Sequence, residues 1–315
     1  PVGALISGGV DSSAVLALMS RYSKSPIKTF TISFPDRPEY DEAEHARNIS
    51  RIYKTEHMEL AAVPQSVESL YELLKHCGDP IGDNSVVITF LISQLARRFV
   101  KVVLNGDGGD ECFAGYHRYV KFLRDCRVQK NWWWMKQVLR VGGNMDRIKN
   151  FIKSQNRPDY ERFGRYYCYF NAEDKNKLYK NGMRKMLARE SYWLFKKMFE
   201  ECEGRSVVSR ALYSDINTYL PDDLLAKADL IGMKVALEQR SPFVDHELME
   251  LAAKMPLKYK IGPGGETKYI LKKALIERGL VPAANVYRPK KGFGMPLKEW
   301  FLGDLKKYAA SILLA

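Results

Sequence analysis

This chain of 315 residues is 46% hydrophobic and 28% charged, the proportions of a globular protein with room for one large core or two smaller ones. None of its apolar runs reaches the ~18 residues of a membrane span, and the first is too short for a signal peptide. The net charge is +13, and the five cysteines (Cys77, Cys112, Cys126, Cys168 and Cys202) are scattered without a C-x-x-C pair, which argues against a disulfide framework or zinc site and points to a reducing cytoplasm.

In chain order, residues 2–6 (VGALI) predict a short buried strand, and 11–22 a helix opening on Asp11, Ser12 and Ser13. Residues 27–34 alternate as a strand, 41–53 follow as a helix, 55–60 form a strand, and 63–77 and 85–99 two helices. KVVLNG (101–106) is a buried strand ending on glycine. This alternation predicts an α/β core over 1–115 with a parallel sheet and crossover helices. Beyond 115 the strand signals nearly vanish and 116–315 reads as largely helical. With no repeat or low-complexity linker, 1–315 is expected to pack as a single domain.

The excess charge lies between 118 and 210, where 23 Lys+Arg face 10 Asp+Glu, leaving the rest of the chain neutral. Aromatics accompany it, among them Trp132, Trp133, Trp134, Tyr166, Tyr167 and Tyr169. Basic plus aromatic is the composition of a nucleic-acid surface. It is equally that of amphipathic helices with solvated basic faces. Tyr160, Phe163, Tyr167 and Phe170 recur at helical spacing as one buried face would, which favours the second reading and disfavours a nucleic-acid partner.

Two strand ends carry glycine loops, and ligands of open parallel sheets bind outside such ends. In SGGVDSS (7–13), Gly8 and Gly9 allow a tight turn that brings backbone N–H groups to an oxyanion, and the following helix adds its positive end. That dipole contributes only about 0.3–1 kcal/mol at an exposed site, so serine hydroxyls and a metal must share a polyphosphate. Asp11 would repel phosphate without a divalent cation between them, which suggests Mg²⁺. The simpler reading is a turn with Asp11 or Ser12 capping a helix. In NGDGGDE (105–111), Asp107, Asp110 and Glu111 crowd one glycine-rich turn, where acids could share a metal or face a reacting group.

Further on, 219–248 reads as a helix followed by Glu238 and Arg240 ahead of Pro242. YRPKKGFGMPL (287–297) sets Arg288, Lys290 and Lys291 beside Gly292 and Gly294, a mobile-looking loop able to close over a charged transition state or to serve as a plain surface turn.

SGGVDSS resembles the PP-loop of ATP pyrophosphatases. Followed in order by NGDGGDECFAGYHRY, YLPDDLLAKAD, LEQRSPFVDHEL, ETKYILKKAL and YRPKKGF, it resembles the synthetase domain of glutamine-dependent asparagine synthetase from Val2 to about Trp300. The resemblance implies a Rossmann-like PP-loop fold and ATP and Mg²⁺ as cofactors. It implies pyrophosphate held by Ser7, Gly8, Gly9, Asp11, Ser12 and Gly106, with Leu5 and Ile32 near the adenosine and Asp11 and Asp110 as Mg²⁺ ligands. Asp107 would take a proton from attacking ammonia, Lys290 would stabilise the adenylation transition state, and Asp229 and Glu238 would line the acceptor site. Aspartate or a related carboxylate would be adenylated, with ammonia from an N-terminal glutaminase domain absent from this chain; the resemblance leaves a homodimer open. Asp107 replaces the family's usual glutamate, and Leu230 stands where many relatives carry a basic residue. These two departures motivate another acceptor (a sugar acid, a β-lactam precursor or a peptide), and the basic stretch motivates a tRNA-modifying alternative.

Overall fold

The computed structural model describes residues 1–63, 70–79, 81–130, 157–168, 170–184, 191–204, 206–289, 294, 296–303 and 305–313. Alternating strands and helices open the chain: β1 (Val2–Leu5), α1 (Val10–Tyr22), β2 (Lys28–Ser33), α2 (Ala43–Ile52), β3 (Glu56–Ala61), α3 (Leu70–Cys77), α4 (Val86–Arg97) and β4 (Val102–Leu104). Each lies within the stretch expected from periodicity to within a residue or so at its ends. The start expected for α3 at residue 63 runs into positions outside the described residues.

The sheet is parallel throughout, in the order β3-β2-β1-β4-β5, so the α/β expectation holds. Its fifth strand, β5 (Glu238–Arg240), comes from the part of the chain that reads as helical. The stretch 219–248 is in fact a π-helical turn (Leu220–Leu225), a helix (Ala226–Met233), β5, a 3₁₀ turn (Pro242–Val244) and the start of a helix (His246–Lys254). The helix stops where Ala236 takes a left-handed backbone, φ 57°, and Leu237 is then fully buried. A three-residue strand of sequence EQR carries no apolar alternation. Its charged residues suit a sheet edge, where they discourage further pairing.

The described chain forms two compact units. One comprises Pro1–Gly109, Leu220–Ala253 and Ile270–Ala315; the other comprises Asp110–Tyr219 and Lys254–Tyr269. The sheet unit is thus assembled from three chain segments. Its core gathers Phe30, Ile32, Val103, the α4 residues Val87, Ile88 and Ile92, Ile231, Leu237 and Trp300. Each such side chain contributes about 1.5–3 kcal/mol by leaving water.

The second unit is helical and packed on aromatics. Phe163 is fully buried, with the rings of Phe122, Tyr167, Phe199 and Tyr119 at 5.2, 5.7, 5.9 and 6.2 Å. Tyr160 and Tyr167 pack against the same cluster, as the helical spacing predicted. Phe170 does not: it is 58% exposed, because the helix ends at Gly164 and only its closing turns carry the path as far as Tyr167. The hydroxyls of Tyr167 and Tyr119 both donate to the buried Asp215 carboxylate. Trp132, Trp133, Trp134 and Tyr169 lie outside the described residues.

Candidate active site

Both glycine loops leave the carboxyl ends of neighbouring strands. β1 pairs with β4, Ala4 opposite Leu104, and the strand order runs outward from this pair in both directions. Such a switch point opens the crevice in which parallel sheets bind ligands. Here the loops also touch. A Cβ placed on Gly106 would lie 2.9 Å from the Ser12 backbone nitrogen, and one on Gly109 would lie 2.6 Å from Asp11 Oδ1. Glycine is required at both positions because the second loop is pressed onto Asp11 and the first turn of α1.

Within the first loop, Gly8 has φ +69°, and a Cβ there would come within 2.6 Å of His45 Cβ and closer still to the His45 carbonyl. Ser7 and Ser12 hold the turn together. The Ser7 N–H donates to Ser12 Oγ at 3.2 Å, the two hydroxyls lie 3.2 Å apart, and the Gly9 N–H donates to Ser7 Oγ at 3.3 Å. Gly9 is the N-cap of α1 and has no side chain to accept from the first-turn N–H groups, the arrangement that favours an anion at a helix start. Leu5 packs against the hydrophobic cluster, and Ile32, 6% exposed, is part of it.

In the second loop Asn105, 7% exposed, anchors Asp107. Its Nδ2 donates to Asp107 Oδ2 at 2.8 Å and to Gln239 Oε1 at 3.3 Å, and its Oδ1 accepts from the Asp107 N–H at 3.3 Å. Ser241 Oγ donates to the Asp107 carbonyl, and Gln239 Nε2 donates to Ser93 Oγ at 3.1 Å. The carboxylate is therefore fixed by a polar network from α4, β4 and β5. The other two acids of the motif belong to the second unit. Asp110 pairs with Lys268 Nζ at 2.8 Å. Glu111 is fully buried; burial, then the Asp110 carboxylate, push its carboxyl up to about 7, against the Tyr116 hydroxyl that donates to it at 2.7 Å.

Beside the second loop lies a cavity of ≈ 560 Å³ lined by Asn105, Asp229, Gln239, Arg240, Ser241 and Asp245, with apolar walls including Leu104, Leu225 and Val244. Asp229 is exposed on its rim helix. Glu238 lies elsewhere: it begins β5 opposite Val102, at the amino end of the strands, and its carboxylate accepts from Arg240 Nε at 2.7 Å. The helix carrying Asp229 is tied down by Lys227, 7% exposed, which pairs with Asp83.

Lys290 lies outside the described residues, as do Lys291 and Gly292. Arg288 is described, and it is no solvated loop cation: its side chain is 9% exposed and pairs with Glu42. Sequence reading also passed over Asn105, Gln239 and Asn285 as site residues. Amides carry no charge pattern, and only their partners across the fold reveal them.

Among the described residues no three His, Cys, Asp or Glu side chains gather to hold a metal alone. A cation at these loops would take one or two carboxylates and fill its shell from phosphate and water, which is how Mg²⁺ binds. A carboxylate oxygen donor such as Asp11, against which the second loop packs, suits that ion. Among the described residues no helix is long and apolar enough to cross a membrane.

Comparison with known proteins shows the family. Residues 1–315 match the profile of a family described as asparagine synthase. Over 318 residues the chain is 28% identical to a glutamine-hydrolysing asparagine synthetase 1 of Bacillus subtilis, covering 99% of this chain and 49% of that protein. It is 31% identical over 318 residues to a putative glutamine-hydrolysing asparagine synthetase of Mycobacterium tuberculosis, covering 98% and 47%. It is 23% identical over 354 residues to amidase chry2 of Gibberella zeae, covering 99% and 52%. The chain thus spans about half the length of the curated relatives it matches.

Proposed function

Because the chain belongs to the asparagine synthase family, we propose that it is the ATP-dependent amide-forming part of its protein. The side-chain carboxylate of aspartate attacks the α-phosphorus of ATP, pyrophosphate leaves, and ammonia displaces AMP from the acyl-adenylate to give asparagine. The observation that carries this reading is the packing of the SGG and GDGG loops against each other at the switch point, with Asp11 between them.

The chain's own groups fit each step. Gly8 and Gly9 N–H groups, Ser7, Ser12 and Gly106 face the pyrophosphate, and Leu5 and Ile32 sit on the adenosine side. Asp11 and Asp110 are the donors assigned to Mg²⁺, which when bound offsets charge on the phosphates. Lys290 adds positive charge as adenylation proceeds. The cavity beside Asp229 receives the acceptor. Glu238, at the far end of β5, is left to structure. Asp107, already hydrogen-bonded through one carboxylate oxygen, takes the proton that the attacking nitrogen must lose. Ammonia would come from glutamine, as the relatives' names suggest, and those names favour aspartate over another acceptor or a tRNA base. The five scattered cysteines, with no C-x-x-C pair, support a reducing cytoplasm.

The test is product analysis with ATP, aspartate and ammonium. Aspartate-dependent AMP and pyrophosphate in equal amounts are expected; ADP and phosphate would overturn adenylation.

A further inference from the structure

Beneath the SGG loop, two side chains from the far end of the sequence bind its carbonyls. Arg288 Nε donates to the Gly8 carbonyl at 3.3 Å and Nη2 to the Ser7 carbonyl at 3.4 Å. Asn285, 1% exposed, donates through Nδ2 to the Gly8 carbonyl at 3.2 Å and to the His45 carbonyl at 3.4 Å. Its own Oδ1 accepts from Asn48 Nδ2 at 2.8 Å, which fixes the amide's orientation. The guanidinium also pairs with Glu42, and a Cβ on Gly9 would lie 3.2 Å from Arg288 Nη2.

In a peptide plane the carbonyl and the next N–H point opposite ways. Two adjacent carbonyls drawn onto one guanidinium therefore turn the Gly8 and Gly9 N–H groups to the other side. The Gly9 N–H is seen there, directed at Ser7 Oγ. A glycine-rich turn would otherwise rotate freely and present carbonyl oxygens to an anion. Glu42 offsets the charge of Arg288, so the contribution is one of orientation more than of long-range attraction.

We propose that Asn285 and Arg288 are positioning residues of the pyrophosphate subsite, a carbonyl clamp that preforms the SGG loop for its anion. This rests on the reading of that loop as the pyrophosphate site. It goes further in assigning the loop's geometry to a segment 277 residues or more away in sequence.

The test uses the intact protein, inorganic pyrophosphate with Mg²⁺ as the titrant, and steady-state kinetics. Arg288→Met and the isosteric Asn285→Asp, which cannot donate to the Gly8 carbonyl, should each raise the pyrophosphate Kd and the KM for ATP at least tenfold. The KM for aspartate should stay within twofold of the parent. Arg288→Lys keeps the charge but loses the planar fork, and it should behave like Arg288→Met. Should Arg288→Met fold poorly because Glu42 is left unpaired, Glu42→Gln/Arg288→Met removes both charges and reads the same constants. Unchanged pyrophosphate binding in the variants, wild-type behaviour of Arg288→Lys, or an equal rise in KM for both substrates would overturn the clamp. If the parent protein itself binds no pyrophosphate, the loop assignment fails first.

Discussion

At Gly8 and Asp107 single atoms decide what the site can do. Gly8 combines a left-handed backbone with contact against His45. Gly8→Ala adds about 1–3 kcal/mol of backbone strain and a collision that only movement of α2 relieves. Urea denaturation should show at least that loss, together with weakened pyrophosphate binding. Asp107→Asn keeps the size of the side chain and removes its basicity. Pyrophosphate exchange should survive while amide formation falls about 10²–10⁴-fold, the range for a general base; parallel loss of both would remove Asp107 from the proton step. Lys290→Ala should nearly abolish adenylation while ATP still binds, and equal turnover would dismiss Lys290.

Among the elements, the helix Ala226–Met233 carries Asp229 at the cavity and is pinned to α4 through one buried ion pair. Asp83 accepts from the Ser85 N–H at 2.8 Å just ahead of α4 and pairs with Lys227. Burial alone would raise the Asp83 carboxyl; the Lys227 ammonium and the Ser85 hydrogen bonds outweigh it and hold it below its ordinary 3.8. A depressed carboxyl stabilises the fold above its unfolded pKa, and that contribution is lost as pH falls through the folded value. Lys227→Met should therefore cost about 3–5 kcal/mol at neutral pH, as for a broken buried pair. The gap from the parent should narrow in acid as pH falls from 3.8 through the depressed folded value, under which Asp83 is neutral in both; a pH-independent gap in denaturation curves would contradict the pair's role. In the helical unit, Phe163→Ala should cost about 3–5 kcal/mol, because this ring is fully buried among those of Phe122, Tyr167 and Phe199.

For the whole molecule, a ligand that binds only the folded chain stabilises it in proportion to its occupancy. Pyrophosphate with Mg²⁺ at one hundred times its Kd should add about 2.7 kcal/mol, read as a rise in Tm that Gly8→Ala or Asn285→Asp would cut to about half or less at the same concentration. No shift in the parent protein would count against an anion site at the loops.

The sequence by itself determined the first four strands and their helices, because hydrophobic periodicity is local and each segment carries its own. It also determined the two glycine loops, since a left-handed or tightly packed backbone limits the residue to one type. The ordered motifs identified the family and hence the chemistry to test. Tertiary structure alone decided the rest. β5 is three polar residues long and is a strand only because β4 offers it an unpaired edge. Glu238 and Gln239 are neighbours in sequence, yet alternation and register send one to the amino end of the sheet and the other to the cavity beside Asn105. Arg288 reads in sequence as one more cation of a basic loop, and its partners, Gly8, Ser7 and Glu42, lie at the other end of the chain. Contacts at such separations leave no periodic trace, so only the folded chain shows which charge is solvated and which holds the site in shape.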